Sequence, residues 1–259
     1  MPPARHIGST LLNSNRLSGY LLPYIPVLIS FKYGKKLDQR YYWGILATVI
    51  STALVLTYCR GGWYACIIAL VVMALLYDKK LLGFVLIYCL VYSFAYTGVW
   101  DRAMSGMEPA DDRTSLQRIQ LWQVGLRMWQ DAPLTGVGIG NYIPLHDTYL
   151  GKYPELDRGC EAINPHNSII KALAETGIVG AGLLLSLLLV LARELWKVVY
   201  KVLREPRIAL IMGAACGMLA FLLQSNTNCL LYFPRNAFGF WVVAGLGIQL
   251  AQKSSLARG

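Results

Sequence analysis

Ionisable side chains are scarce in this chain, and that scarcity excludes more than any single motif does. Only 15% of its 259 residues are charged and 3 are histidine, against 56% that are hydrophobic. With a mean hydropathy of +0.45, the chain is too apolar for a soluble domain of this length. The six cysteines show no metal-ligand spacing, and no paired carboxylates or histidine cluster point to a metal, so neither a metal nor another cofactor is expected. Motifs for nucleic acid are lacking, and so is an internal repeat of the kind transporters carry. The first residues are polar and have none of the apolar stretch of a cleavable signal. The glycines of Pro133-Leu134-Thr135-Gly136-Val137-Gly138-Ile139-Gly140-Asn141-Tyr142 follow no strand and have the wrong spacing for a dinucleotide fingerprint. A tight turn or a close backbone approach is their expected use.

What is present is a series of long apolar runs. Seven segments, near residues 17–33, 42–58, 61–77, 81–100, 168–192, 208–223 and 236–251, approach the ~20 residues needed to cross ~30 Å of hydrocarbon. Pro23 and Pro26 interrupt the first, so neighbouring helices must satisfy the backbone groups they free. Lys32, Lys35, Lys36 and Arg40 follow the first run, Lys79 and Lys80 the third, and Arg193, Lys197, Lys201, Arg204 and Arg207 the fifth. Lys253 and Arg258 follow the last. All these loops fall on one face, which the positive-inside rule makes cytoplasmic. The net charge of +10 therefore serves topology and anionic membrane lipid, and nucleic acid is not an expected partner.

The expected fold is all-α, a polytopic transmembrane bundle of about seven spans forming one membrane domain over 1–259. One large extracytoplasmic loop, 101–165, interrupts it. That loop is slightly acidic, with nine acidic residues against six basic ones. An N-terminus starting outside, directly before a weak span, is awkward for insertion, so the chain is expected to be the C-terminal part of a longer protein. Cys66, Cys89 and Cys216 fall within spans as small hydrophobes. Cys59, Cys160 and Cys229 lie near the outer face, where a disulfide between two of the three is open.

Within the outer loop, Thr114-Ser115-Leu116-Gln117 reads as a capping box. Leu116, Ile119, Trp122, Leu126 and Trp129 follow at helical spacing, and Asp131-Ala132-Pro133 ends the pattern. An amphipathic helix with two tryptophans on its apolar side is expected along the outer membrane surface or against the bundle. Residues 143–163 read as irregular, a lid or acceptor loop, with His146 an ordinary loop histidine.

Candidate site residues gather at the outer rim. His166, in Asn164-Pro165-His166-Asn167, precedes a helix expected to begin at Asn167 or Ser168. The positive end of that helix favours a neutral imidazole, which can accept a proton as a general base, and its free N–H groups suit a phosphate. From that segment alone, a structural cap is an equal reading. Arg60 occupies a turn too short to carry a charge by accident, and Arg118 sits one turn before Trp122. Together they suit a diphosphate, because guanidinium forks bind phosphate oxygens bidentately. Arg5 and Arg16 lie on the same side. Glu175, inside the fifth span, is expected to orient His166, to partner an arginine or to make a structural polar contact. Asn15, Asn226 and Asn228 are weaker candidates for sugar or phosphate contact, and the polar run 224–228 for lining a cleft.

Four pieces resemble, in order, the O-antigen ligase and O-antigen polymerase superfamily of bacterial membrane glycan transferases. They are Arg5 through Tyr20; Arg60-Gly61-Gly62-Trp63; Arg118-Ile119-Gln120-Leu121-Trp122 with Asp131 through Gly138; and Asn164-Pro165-His166-Asn167 with Glu175 through Gly180. The family is longer, with several more N-terminal spans. The resemblance implies a GT-C-like transferase in the bacterial cytoplasmic membrane, its site facing outside. Its donor would be a glycan on undecaprenyl diphosphate, and its acceptor a glycan, lipid A core or protein hydroxyl. By that resemblance Arg60 and Arg118 bind the donor diphosphate and His166 activates the acceptor, with inversion and without a metal; Arg5, Asn15, Asn167 and Glu175 would support them. A flippase or other transporter of lipid-linked glycans, and an inactive remnant, are the alternatives.

Overall fold

A computed structural model describes residues 13–33, 37–95, 113–159, 164–201 and 206–256. Among them every regular element is helical: α1 Ser14–Leu21, α2 Tyr24–Phe31, α3 Leu37–Val55, α4 Arg60–Leu76, α5 Lys80–Ala95, α6 Arg113–Asp131, α7 Tyr142–Lys152, α8 Ser168–Lys201, α9 Pro206–Ser225 and α10 Pro234–Leu256. Short 3-10 turns cover Pro154–Leu156 and Leu230–Tyr232. The described parts of all seven apolar segments are mostly helical, the first as the two short helices α1 and α2. Two helices meet the length and apolarity needed to cross a membrane, Ser168–Lys197 and Ile208–Ser225, while α4 and the apolar part of α5 are shorter. Of the two prolines in the first segment, Pro23 marks an interruption and Pro26 does not. Pro23 caps α2, and Pro26 sits at its third position, where a missing N–H removes no intrahelical bond.

Two compact units result. The first comprises the described residues of 1–103, 190–224 and 233–259, and the second those of 104–189 and 225–232. The first unit packs through small residues, as helices in a membrane do. A Cβ on Gly62 would sit 1.9 Å from Ser18 Oγ, so glycine in α4 is what lets α1 approach. Gln224, fully buried, donates through its amide to the Asn15 carbonyl (3.3 Å), Ser18 Oγ (3.1 Å) and Cys59 Sγ (3.2 Å). Asn236 donates to the Arg16 carbonyl at 2.8 Å. These amides fasten α1, and they explain part of the polar run at 224–228 as packing.

In the second unit α6 buries Gln120, Leu121, Val124 and Met128 fully, whereas Ile119 and Leu126 of the expected apolar stripe are 40% and 39% exposed. The helix thus has two apolar sides, one buried in the unit and one, the expected stripe, left partly outside. The side chains of the proposed capping box at Thr114 and Ser115 lie outside the described ones. Residues 142–152 are not irregular but the helix α7. Tyr142, His146 and Tyr149 recur at i, i+4 and i+7, and all three are buried. Pro144 obscured that pattern, although a proline is tolerated in the first turn. Tyr142 and Tyr149 join Val124, Met128, Leu156 and Ala174 in one core, and the Tyr142 hydroxyl donates to the Leu121 carbonyl.

The second unit turns on a break in α8. Gly177 has φ 62° and ψ −168°, so the helical ladder stops there. In an unbroken helix the Ile178 and Val179 N–H groups would donate to Ala174 and Glu175. Here they donate instead to Pro133 (2.8 Å) and Leu134 (3.3 Å), while the Ala174 and Glu175 carbonyls accept from Val137 (2.9 Å) and Gly138 (3.0 Å). The glycine-rich turn thus substitutes for the helix's own hydrogen bonds. Backbone meets backbone so closely that a Cβ on Gly136 would lie 2.4 Å from the Glu175 carbonyl carbon, and one on Gly177 2.3 Å from that of Leu134. Gly177→Ala should therefore cost about 2 kcal/mol or more, from positive φ plus the clash. Gly182→Ala, which meets nothing within 4 Å, should be neutral or stabilising. Thermal unfolding of the purified protein compares the two; equal melting temperatures would refute the exchange.

Candidate functional site

His166 adopts φ 50°, a left-handed conformation that few non-glycine residues hold without cause. Asn167 follows as the cap of α8, its Oδ1 accepting the Ile169 and Ile170 N–H groups at 2.9 and 3.1 Å. Such a cap stabilises a helix by about 0.5–2 kcal/mol. Asn167 is therefore engaged by its own helix, and the turn before it projects His166 from the helix mouth.

Three contacts fix the histidine segment. Trp122 of α6 donates its indole N–H to the Pro165 carbonyl at 2.7 Å. Asn228 approaches His166 Nδ1 through Oδ1 at 3.1 Å, and its own carbonyl accepts from Ser168 Oγ at 3.2 Å. An amide oxygen only accepts, so the proton of the neutral ring resides on Nδ1 and the free lone pair on Nε2. Asn228 is 4% exposed and thus a buried partner of the histidine; Asn226 is exposed. Burial, and then the Arg118 charge, hold the imidazole below its ordinary value, against the pull of the Asn228 hydrogen bond. The expected neutral histidine is present, but desolvation is the main cause. Arg118, one turn before Trp122 on α6, is near enough for its charge to reach the ring.

Behind the histidine lies a buried polar centre that the sequence did not reveal. Lys171 and Glu175, 6% and 1% exposed, pair at 2.6 Å one turn apart on α8. Glu175 Oε1 also accepts the Tyr142 N–H at 3.3 Å, and Lys171 Nζ stands 5.6 and 5.0 Å from the rings of Tyr142 and Tyr232. Glu175 thus partners a lysine rather than the histidine or an arginine. A lysine within a predicted span, four residues before a glutamate, was the overlooked signal. Burial pushes the Cys229 thiol up to about 12, opposed by the Asn167 N–H, the Lys171 ammonium and the His166 N–H. Cys59 and Cys229 are both free thiols; Cys160 lies outside the described residues. His146, expected in a loop, is fully buried on α7, with Nδ1 2.9 Å from Asp147 Oδ1 and Nε2 without a hydrogen-bond partner.

Arg60 belongs to the first unit, as the first residue of α4 after Cys59, whose side chain makes no capping bond. Arg16 lies over the Phe233 ring at 4.0 Å, and Asn15 N–H donates to Asn13 Oδ1 at 2.8 Å to cap α1. Arg5 lies outside the described residues.

A protein-family model described as O-antigen ligase matches residues 45–185, more than half of the chain and a stretch that includes Arg60, Arg118, His166 and Glu175. No curated protein matches the chain.

The His166 environment has a measurable signature. The pH midpoint of His166 modification by diethylpyrocarbonate, read by peptide mapping, should fall below the ordinary value of about 6.5. In Arg118→Gln it should move up, because the repelling cation is gone. A midpoint at or above the ordinary value, indifferent to Arg118, would contradict the geometry.

Proposed function

The chain belongs to the O-antigen ligase family, and on that premise we propose that it transfers a glycan from undecaprenyl diphosphate to an acceptor hydroxyl at the outer face of the bacterial cytoplasmic membrane. The observation that carries this reading is the state of His166, a neutral ring with its proton on Nδ1 and a lone pair on Nε2, beside the Arg118 charge. In this reading the apolar helices form a bundle of about seven spans, and the basic loops face the cytoplasm.

The acceptor hydroxyl meets Nε2 of His166, which takes its proton as the oxygen attacks the anomeric carbon. The bond from that carbon to the diphosphate oxygen breaks on the opposite face, so a single displacement inverts the configuration. The proton rests on His166 and passes to water after the product leaves. Arg118 then has a second role, since its charge repels the imidazolium and speeds that release. The departing undecaprenyl diphosphate gains negative charge, which Arg60 and Arg118 neutralise in this reading. In this reading Arg60, the first residue of α4, lends its guanidinium fork to a donor phosphate. Arg5 and Asn15 are proposed, from the family resemblance alone, as supporting donor contacts. Glu175 keeps Lys171 in place behind the histidine, and Asn228 holds the ring tautomer. Ligation and polymerisation both fit these roles.

Transfer from a polyprenyl-diphosphate glycan, assayed in membranes, tests the roles separately. His166→Ala should lose about 10²–10⁴-fold in rate with insertion intact; full activity would remove the base. Asn228→Ala should lower the maximal rate more than donor affinity. Arg60→Lys keeps the charge but not the fork and should lose about 10–100-fold in kcat/KM; near-normal turnover would leave that arginine to lipid contact.

A further inference from the structure

The first unit holds a cavity of about 260 Å³ lined by Lys32, Tyr33, Arg40, Asp78, Lys80 and Phe84. Its walls come from the end of α2, the first turn of α3, the loop after α4 and the first turn of α5. None of these residues belongs to the transfer chemistry. Lys32, Arg40 and Lys80 bring three cations to its lining and Asp78 one carboxylate. Both oxygens of that carboxylate are already engaged: Asp78 Oδ1 accepts the Lys80 N–H at 3.0 Å and Oδ2 the Tyr33 hydroxyl at 2.8 Å. The Lys80 N–H, followed by the Tyr33 hydrogen bond and the Lys80 and Lys32 charges, holds the Asp78 carboxyl below its ordinary range despite some desolvation. Asp78 therefore stays charged and ties Tyr33 to the start of α5, giving the cavity a fixed floor.

One wall is apolar, and it continues beyond the cavity. Lys32 Nζ lies 4.3 Å from the centre of the Phe84 ring. Phe84 is the first of an exposed stripe on α5, followed by Ile87 and Val91 at 58%, 60% and 53% exposure. With Lys80 these positions recur at i, i+4, i+7 and i+11, so one helix face carries a cation at its head and an apolar track beneath it. The cavity is smaller than the ~300–1,000 Å³ of sites that enclose a whole small molecule. It takes a head group, with the rest of the ligand outside along the helix.

We propose that this cavity binds the phosphate of an anionic diacyl phospholipid, whose acyl chain runs along Phe84, Ile87 and Val91. The basic loops place it in the cytoplasmic leaflet, where anionic lipid gathers and where basic pockets between helices hold such head groups. A loop that served topology alone would need only its lysines and arginines. This one adds a locked carboxylate, a cation stacked on an aromatic shelf and a continuous apolar track. The site does not depend on the transferase reading and survives its failure.

The test uses the full chain, purified and delipidated, with lipid binding read by native mass spectrometry. Phosphatidylglycerol should bind well above phosphatidylcholine of the same chain length. The double variant Arg40→Gln/Lys80→Gln should weaken phosphatidylglycerol binding about thirtyfold, and Lys80→Arg should retain it. Phe84→Ala should weaken it several-fold with the charges untouched, so a misfolded double variant does not end the test. Lys253→Gln, which removes an exposed cation at the end of α10, should change nothing. Equal binding of the two lipids, or equal loss from Lys253→Gln and the double variant, would mean a diffuse surface field and overturn the site. Inorganic phosphate competing as strongly as lipid, with Phe84→Ala silent, would mean a free-anion site and overturn the lipid assignment.

Discussion

A helix that breaks must have its freed backbone groups paired by something else, because an unsatisfied N–H or C=O away from water costs several kcal/mol. At Gly177 the partner is the turn Pro133–Gly138, which donates two N–H groups and accepts two in return. That exchange is backbone to backbone, so it fixes relative position rather than merely adding packing. It joins the end of α6, which carries Arg118, to the first part of α8, which His166 directly precedes. The Trp122–Pro165 hydrogen bond closes the same pair of elements at the other end. With both ends tied, the guanidinium stays within electrostatic reach of the imidazole.

The same economy governs the polar centre. Lys171 and Glu175 are buried where an isolated charge would be strongly disfavoured, and each is tolerable because the other sits at 2.6 Å. Such a pair adds little net stability, yet removing one member leaves an uncompensated buried charge. Its value is positional. It braces Tyr142 and Tyr232 close behind the turn that holds His166 in a left-handed conformation. Strain at that turn persists only because its surroundings over-determine it.

The two described sets of basic residues obey different rules. In the proposed reading Arg60 and Arg118 are single guanidinium groups, one at the start of α4 and one near His166, whose fork geometry serves a diphosphate. Lys32, Arg40 and Lys80 converge on a small cavity with an aromatic wall at the head of an exposed apolar stripe. One arrangement suits a leaving group that gains charge, the other a head group that keeps it.

Composition and period were enough for the helical class, for the helices that coincide with the apolar segments and for the punctuation at Pro23 and Pro133, because these depend on local preference and total apolarity. The start of α8 just after His166 was also legible, since a polar turn in an apolar chain stands out wherever it falls. Which side of α6 is buried was not, because both sides are apolar and only the neighbours decide between them. The helix over 142–152 was hidden by Pro144, which is permitted in a first turn but reads as a breaker. Asn228 as the partner of His166, and Lys171 as the partner of Glu175 beneath two aromatic rings, required the folded chain. Local sequence dictates what each segment prefers, whereas a tautomer, a buried ion pair and a backbone exchange between distant segments arise only when desolvation forces every polar group to find a partner across the fold.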